Sequence, residues 1–168
     1  MSNFDLTRFK RAQERNPGGF STALSELEAG QKRSHWIWYI FPQLAGLGHS
    51  EMAVAYGLHG VAEAIVYLRD PELRQRLLVL TDIVIAQLKR EPETTLVQLM
   101  GSKIDALKLV SCMTLFREVA RRLNAREPLS DYAALADRAN AILALAAAEG
   151  FDECQPTLRQ LAASPLAG

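Results

Sequence analysis

Apolar residues recur at helical spacing along almost the whole chain, and no stretch alternates apolar and polar residues for long enough to form a β-strand. The clearest example follows Pro71, where residues 77–86 are apolar on nearly every face, a pattern typical of a helix buried at the centre of a protein. Its apolar stripe comprises Leu73, Leu77, Leu80, Val84 and Leu88. We predict an all-α fold, a compact orthogonal multi-helix bundle of about 7–9 helices.

Capping residues and helix breakers divide this pattern into separate helices. Residues 16–19, Asn-Pro-Gly-Gly, end a first helix that spans 5–15. Asp70 followed by Pro71 is the signature of a helix start, because Asp accepts from free backbone amides and Pro fits the first turn. Later starts are predicted at Thr94 or Thr95, at Ser102 and at Ser130.

The length of 168 residues suits one folding unit, since domains most often contain about 100–150 residues. No internal repeat, low-complexity tract or linker interrupts the helical pattern. Residues 1–168 are therefore expected to form a single helical domain, with a core at 5–148 and a frayed tail at 164–168.

Charge argues against nucleic acid as the main partner. The 19 basic and 19 acidic side chains leave no net charge, so no overall field would attract DNA or RNA. One basic cluster lies toward the end of a predicted helix. We interpret it as cations at the negative end of the helix dipole, with a phosphate-binding stripe as the alternative: Arg117, Arg121, Arg122 and Arg126.

Nothing in the sequence resembles a membrane segment or a secretory leader. The N-terminal residues are charged and amphipathic. The most apolar window, 77–88, contains Asp82 and is much shorter than the ~20 residues that span a bilayer. We expect no membrane contact and a cytoplasmic location.

The residues that usually bind metals or perform covalent catalysis follow no recognised spacing. Cys112 and Cys154 are predicted to be free thiols, because no CxxC or CxxH pattern surrounds them. The three histidines match no zinc site, and no catalytic motif such as GxSxG or HExxH is present. We predict no metal and no cofactor.

The most unusual local chemistry lies at 31–43, where cations, a histidine and both tryptophans are crowded together. On a helix, Lys32, His35 and Trp36 would share one face. They could line a pocket for a polar or planar ligand, or His35 could bond a backbone carbonyl while the tryptophans fill the core. A third hypothesis is that Trp36, Trp38 and Tyr39 form an exposed patch for a protein partner.

A second polar set interrupts an apolar helix at 101–116, and consists of Asp105, Lys108, Ser111 and Thr114. Asp105 and Lys108 are spaced to pair locally, and Asp105 also follows Ser102 at capping-box spacing. The alternative is that both charges face a cleft. The bend at 46–50 is a weaker candidate anion site, more typical of an ordinary turn.

At these segments the sequence resembles domain of unknown function 1810, an uncharacterised and mainly bacterial family. The resemblance covers roughly 6–123 and is carried by LTRF at 6–9 with Ala12-Gln13, by GQKRSHWIWYIFPQL at 30–44 with GLG at 46–48, and by DALKLVSCMTLF at 105–116. It implies a compact helical fold but no known activity. Some members are labelled calpastatin, yet calpain inhibitors of that kind resemble disordered chains, and this composition is that of a packed domain.

The resemblance places nine candidate ligand-binding residues on the family's pattern: Lys32, Ser34, His35, Trp36, Gln43, Asp105, Lys108, Ser111 and Thr114. Cys112 stands where serine is more usual in the family, which argues against an essential role for its side chain. The function is unknown. Our first hypothesis is that the two polar segments meet and line one pocket for a small anionic metabolite or nucleotide. If the protein is a hydrolase or transferase, His35 or Asp105 would be the general base and Lys32 or Lys108 the anion clamp. A non-catalytic interaction domain using the aromatic patch is the alternative.

Overall fold

The computed structural model describes residues 3–90 and 94–165, and within these residues it is a bundle of ten α-helices with no β-strand. The helices are α1 (Thr7–Gln13), α2 (Phe20–Glu28), α3 (Ile37–Ile40), α4 (Glu51–Tyr56), α5 (Gly60–Arg69), α6 (Pro71–Leu88), α7 (Leu96–Met100), α8 (Lys103–Arg126), α9 (Ser130–Ala148) and α10 (Gln155–Ala163). The all-α prediction is confirmed. Residues 166–168 of the predicted frayed tail lie outside the described residues.

α10 is the helix that the sequence pattern did not reveal. Only Thr157 and Leu161 of this helix are buried, so its apolar stripe is too narrow to stand out. With α10 included, the helix count of the described residues exceeds the expected number of about 7–9.

Three helices begin at caps that the sequence predicts, namely α6, α7 and α8. The Asp70 carboxylate accepts from the backbone amides of Glu72 at 3.1 Å and Leu73 at 3.0 Å. Thr95 and Gln98 form a reciprocal capping box at the start of α7. The prediction for Ser130 was wrong by one residue, because Leu129 occupies the cap position and Ser130 is already helical.

α8 is the central helix. It packs against α3, α5, α7, α9 and α10, and buries an almost continuous run of side chains from Leu109 to Phe116. The expectation that the apolar helix α6 would occupy the centre was wrong. One face of α6 reaches solvent, where Val79 is 42% exposed and Asp82 pairs with Arg138 at 2.6 Å. Among the described residues, no helix is both long and apolar enough to cross a membrane.

The two cysteines are unpaired and have different surroundings, which gives a direct test of the fold. Cys112 is fully buried in α8, and burial raises the pKa of its thiol well above the usual value. Cys154 is half-buried, and its Sγ accepts from the Thr157 hydroxyl at 3.1 Å. Ellman's reagent should therefore modify one thiol in the native protein and both after denaturation. Cys154→Ser should remove the native reaction, whereas a fast second thiol would contradict the packing of α8.

Candidate functional site

One open groove runs beside the first half of α8, and we call it the α8 groove. Its volume is about 460 Å³, within the range of about 300–1,000 Å³ that ligand pockets occupy. The loop after α3 and the start of α4 form one wall, α8 forms the other, and Cys154 closes one side. Its lining residues are Gln43, Leu47, Gly48, His49, Ser50, Ala53, Ile104, Leu107, Lys108, Ser111 and Cys154.

A small inner cavity of about 10 Å³ adjoins this groove and shares Gln43, Ala53 and Lys108 with it. That volume is close to the space one water molecule needs. Trp38 also lines the cavity, and its indole Nε1 is buried without a hydrogen-bond partner among residues 3–90 and 94–165. The remaining lining residues are Phe41, Tyr56 and Gly57.

Backbone hydrogen bonds hold the loop wall in place. The amide of Leu58 donates to the carbonyl of Gln43 at 2.9 Å, and the amide of Ala45 donates to the carbonyl of Leu58 at 2.8 Å. Ser50 caps α4 by accepting from the Ala53 amide at 3.1 Å. Because Leu44 and Leu58 are buried on either side of these bonds, the wall is anchored to the core.

The two polar segments meet at the carboxylate of Asp105. Lys32 Nζ lies 2.8 Å from one oxygen, and Lys108 Nζ lies 3.7 Å from the other. Each ammonium also stands over an indole ring, Lys32 at 4.9 Å from the centroid of Trp36 and Lys108 at 4.8 Å from that of Trp38. The result is an ordered row of two cations, one anion and two aromatic rings.

Glu26 of α2 organises the backbone that carries Lys32. Its carboxylate accepts from the indole Nε1 of Trp36 at 2.8 Å and from the amides of Arg33 and Ser34 at 2.8 and 3.0 Å, and also from the Ser34 hydroxyl. Burial alone would raise the pKa of Glu26, but these hydrogen bonds outweigh it and lower the pKa to about 2. Glu26 is therefore an anion that fixes the 33–36 turn.

Comparison with known proteins shows which family this chain resembles. The family described as a protein of unknown function, DUF1810, matches residues 3–142. The chain belongs to the DUF1810 family. A crystal structure of a conserved hypothetical protein from Mycobacterium tuberculosis is 35% identical, with a TM-score of 0.71 over 96% of this chain and 99% of the other. No curated protein matches.

Three of the nine candidates on the DUF1810 pattern line the α8 groove, namely Gln43, Lys108 and Ser111. The Ser111 hydroxyl donates to the carbonyl of Leu107 at 3.0 Å, so its donor is already used. Asp105 and Lys32 stand behind Lys108 and set the charge there, as the ion pairs above show.

Three of the other candidates on the DUF1810 pattern, Ser34, Trp36 and Thr114, have structural partners, and His35 lies outside the groove. Ser34 and Trp36 bind Glu26, and Trp36 is fully buried. Thr114 is also fully buried, donates to the carbonyl of Val110, and accepts from the Cys154 amide at 3.2 Å. His35 is exposed and is absent from the lining of both the groove and the inner cavity.

The aromatic side chains do not form the exposed patch that was hypothesised. Trp36 is 0% exposed, Tyr39 is 3% exposed, and Trp38 is half-buried against the core. Burial of a large aromatic ring is strongly favourable because it removes much apolar surface from water. All three rings of this segment therefore pack toward the core. That the protein binds a protein partner stays a prediction.

The basic cluster of α8 holds the C-terminal helix. Arg117 pairs with Glu153, and Arg122 pairs with Glu118 at 2.9 Å. Arg122 also donates to the carbonyls of Leu161 at 2.9 Å and Ser164 at 2.8 Å. These contacts occupy both guanidinium groups, which argues against a phosphate-binding stripe. Arg117 and Arg122 do not lie at the helix end that was predicted for them, because α8 continues to Arg126.

Sequence reasoning missed Glu26 and most of the groove lining. Glu26 lies seven to ten residues before its partners, and no local spacing connects them. Apolar groove residues such as Leu47, Ile104 and Leu107 carry no chemical signature. The signal that could have found Ile104 and Leu107 is their position on the outward face of a helix whose other faces are needed for the core.

Proposed function

We propose that this protein binds a small molecule with an anionic group and an apolar body in the α8 groove. Hydrogen-bond donors that lack an acceptor carry the proposal. Trp38 Nε1 is buried and unpartnered, and the side-chain amide of Gln43 makes no hydrogen bond to the residues that the structure describes. Both residues line the inner cavity, where Lys108 adds a positive charge. A buried donor without an acceptor destabilises the protein. A ligand that supplies the acceptor removes this cost, which favours the complex.

The charges of the groove favour an anion. Its lining includes Lys108 and, among the residues described here, neither Asp nor Glu. Asp105 stands next to Lys108, but Lys32 lies nearer to that carboxylate and balances it. The net charge next to the inner cavity is therefore positive, which favours an anionic ligand.

Exposed apolar side chains favour a ligand with an apolar body. Ile104 is 67% exposed and Leu107 is 46% exposed, one helical turn apart on α8. Leu47 faces them across the groove and is partly buried. A ligand that covered these side chains would gain about 25 cal/mol for each Å² of apolar surface removed from water.

Binding has more support than hydrolysis or group transfer. A general base must reach its proton directly or through one water molecule. His35 does not line the groove, and both oxygens of Asp105 are engaged in ion pairs with ammonium groups. The hydrolase and transferase hypotheses therefore stay predictions, because neither of the two proposed bases, His35 and Asp105, is free in the groove.

Anilinonaphthalene sulfonate is a suitable probe because it joins one anionic group to an apolar ring system and fluoresces on binding. Lys108→Met should weaken its binding at least about 10-fold, which corresponds to one charge-assisted contact. Lys103→Met is the matched control, since Lys103 is exposed on the same helix outside the groove lining. Equal affinity of the two variants and the wild type would refute the proposal.

A further inference from the structure

We infer that the anionic group bound in the α8 groove is a carboxylate and not a phosphate, and that Asp105 sets this preference. The inference rests on the proposed function, and it adds the ligand's chemical class and a specificity-determining residue. It follows from the number of charges and donors that the described residues place beside the inner cavity.

The row of charged side chains can neutralise one negative charge. Lys32 and Lys108 supply two ammonium groups, and Asp105 supplies one carboxylate. Lys32 is only 7% exposed and also donates to the Ser34 carbonyl at 2.5 Å, so its donors face the protein. One positive charge remains, at Lys108. A carboxylate matches this charge, whereas a phosphate monoester carries about −1.5 to −2 at neutral pH.

Asp105 penalises the second charge of a phosphate. Its carboxylate oxygen lies 3.7 Å from Lys108 Nζ, so an anion that contacts Lys108 comes close to a fixed negative charge. Repulsion at this range acts on every unit of ligand charge and is weakly screened where the site is partly buried. The penalty is therefore larger for a dianion than for a monoanion.

The donors beside the cavity also fit a planar group with two oxygens. Trp38 and Gln43 offer neutral donors, and Lys108 offers the charged one. Phosphate sites typically combine several charged or amide donors, from arginine forks, from lysines or from the free amides of a helix start. No arginine lines the groove within the described part of the chain, and the Ser50 side chain already caps α4.

Competition between two ligands with the same ring tests the inference. Naphthylacetate and naphthyl phosphate should each be titrated against bound anilinonaphthalene sulfonate at about pH 8, where a phosphate monoester is doubly charged and histidines are usually neutral. The wild-type protein should bind the carboxylate at least about 10-fold more tightly than the phosphate. A phosphate that binds as tightly as the carboxylate would overturn the inference while leaving the proposed function intact. If the probe binds independently of Lys108 and neither ligand displaces it, the proposed function fails as well.

Removal of the Asp105 charge tests the assigned role. Asp105→Asn should reduce the preference for the carboxylate by about 5-fold or more, mainly through tighter binding of the phosphate. Because this variant leaves Lys32 buried without its carboxylate, Lys32→Met provides a second measurement. It removes the cation that lies nearest to Asp105, so the preference for the carboxylate should increase. An unchanged preference in both variants refutes the role of Asp105.

Discussion

Replacement of Glu26 by alanine should lower the free energy of unfolding by about 3 kcal/mol, because it leaves several buried or half-buried donors without an acceptor. Four donors converge on this carboxylate, and one of them is the indole of the fully buried Trp36. Water can reach part of the turn, so the loss is smaller than the sum of four separate hydrogen bonds.

Urea unfolding monitored by circular dichroism would measure this loss. Glu28→Ala is the matched control on α2, because Glu28 is exposed and its change should stay within about 0.5 kcal/mol. Glu26→Gln keeps an oxygen acceptor but removes the charge, and should lose about 1 kcal/mol. A loss below 1 kcal/mol in Glu26→Ala would show that the 33–36 turn does not depend on this carboxylate.

Acid should remove the same stabilisation from the wild-type protein. The pKa of Glu26 falls from its ordinary 4.5 to about 2 in the folded state, so the unfolded chain binds the proton more tightly. The contribution is complete above about pH 5 and is lost as the pH falls toward 2. Between these limits the unfolding free energy of the wild type should fall by about 1–2 kcal/mol more than that of Glu26→Gln. This figure allows for the partial exposure of Glu26. An equal loss of unfolding free energy in the two proteins would contradict the conclusion that Glu26 is a hydrogen-bonded anion in the folded state.

Replacement of Gly101 by alanine should cost about 3 kcal/mol of unfolding free energy, from two sources that act together. The residue has φ +79°, a left-handed conformation that strains any residue with a Cβ. That Cβ would also lie 2.8 Å from the carbonyl oxygen of Lys32, and the Lys32 amide is bonded to the Leu99 carbonyl at 2.7 Å. The Lys32 backbone therefore cannot retreat without breaking a second contact.

A variant of Gly150 measures the conformational strain without a steric contact. It also follows a helix, has φ +89°, and has open space where a Cβ would stand. Gly150→Ala should cost only the conformational strain, about 1–2 kcal/mol. Differential scanning calorimetry of both variants gives the difference, which measures the contact with Lys32. If the two variants melt together, the close approach of Gly101 to Lys32 does not constrain the site.

Local signals were the part of the structure that the sequence could predict. Asp70, Thr95 and Ser102 begin helices because a cap depends on amides two or three residues away. The Asp105–Lys108 pair was predictable for the same reason. The pair between Lys32 and Asp105 is closer, yet it joins residues 73 positions apart and depends on how α8 crosses the loop before α3.

Tertiary packing also decided which tryptophan could serve the site. Trp36 and Trp38 lie two positions apart in the sequence, but Glu26 accepts a hydrogen bond from the first, and the second has no acceptor among the described residues. A half-buried anion on another helix cannot be inferred from local spacing. The sequence therefore predicted the chemistry of the segment and not the division of roles within it.

The side of the groove next to α10 should be less stable than the side that α8 forms. This helix buries only two of its residues and is otherwise tied to α8 by arginine contacts, so it should open at a lower free energy than the core helices. Cys154, at its start, forms part of the groove wall. Excursions of α10 would widen the groove transiently while α8 stays folded, and a bound ligand would in turn slow the exchange of amide hydrogens in α10.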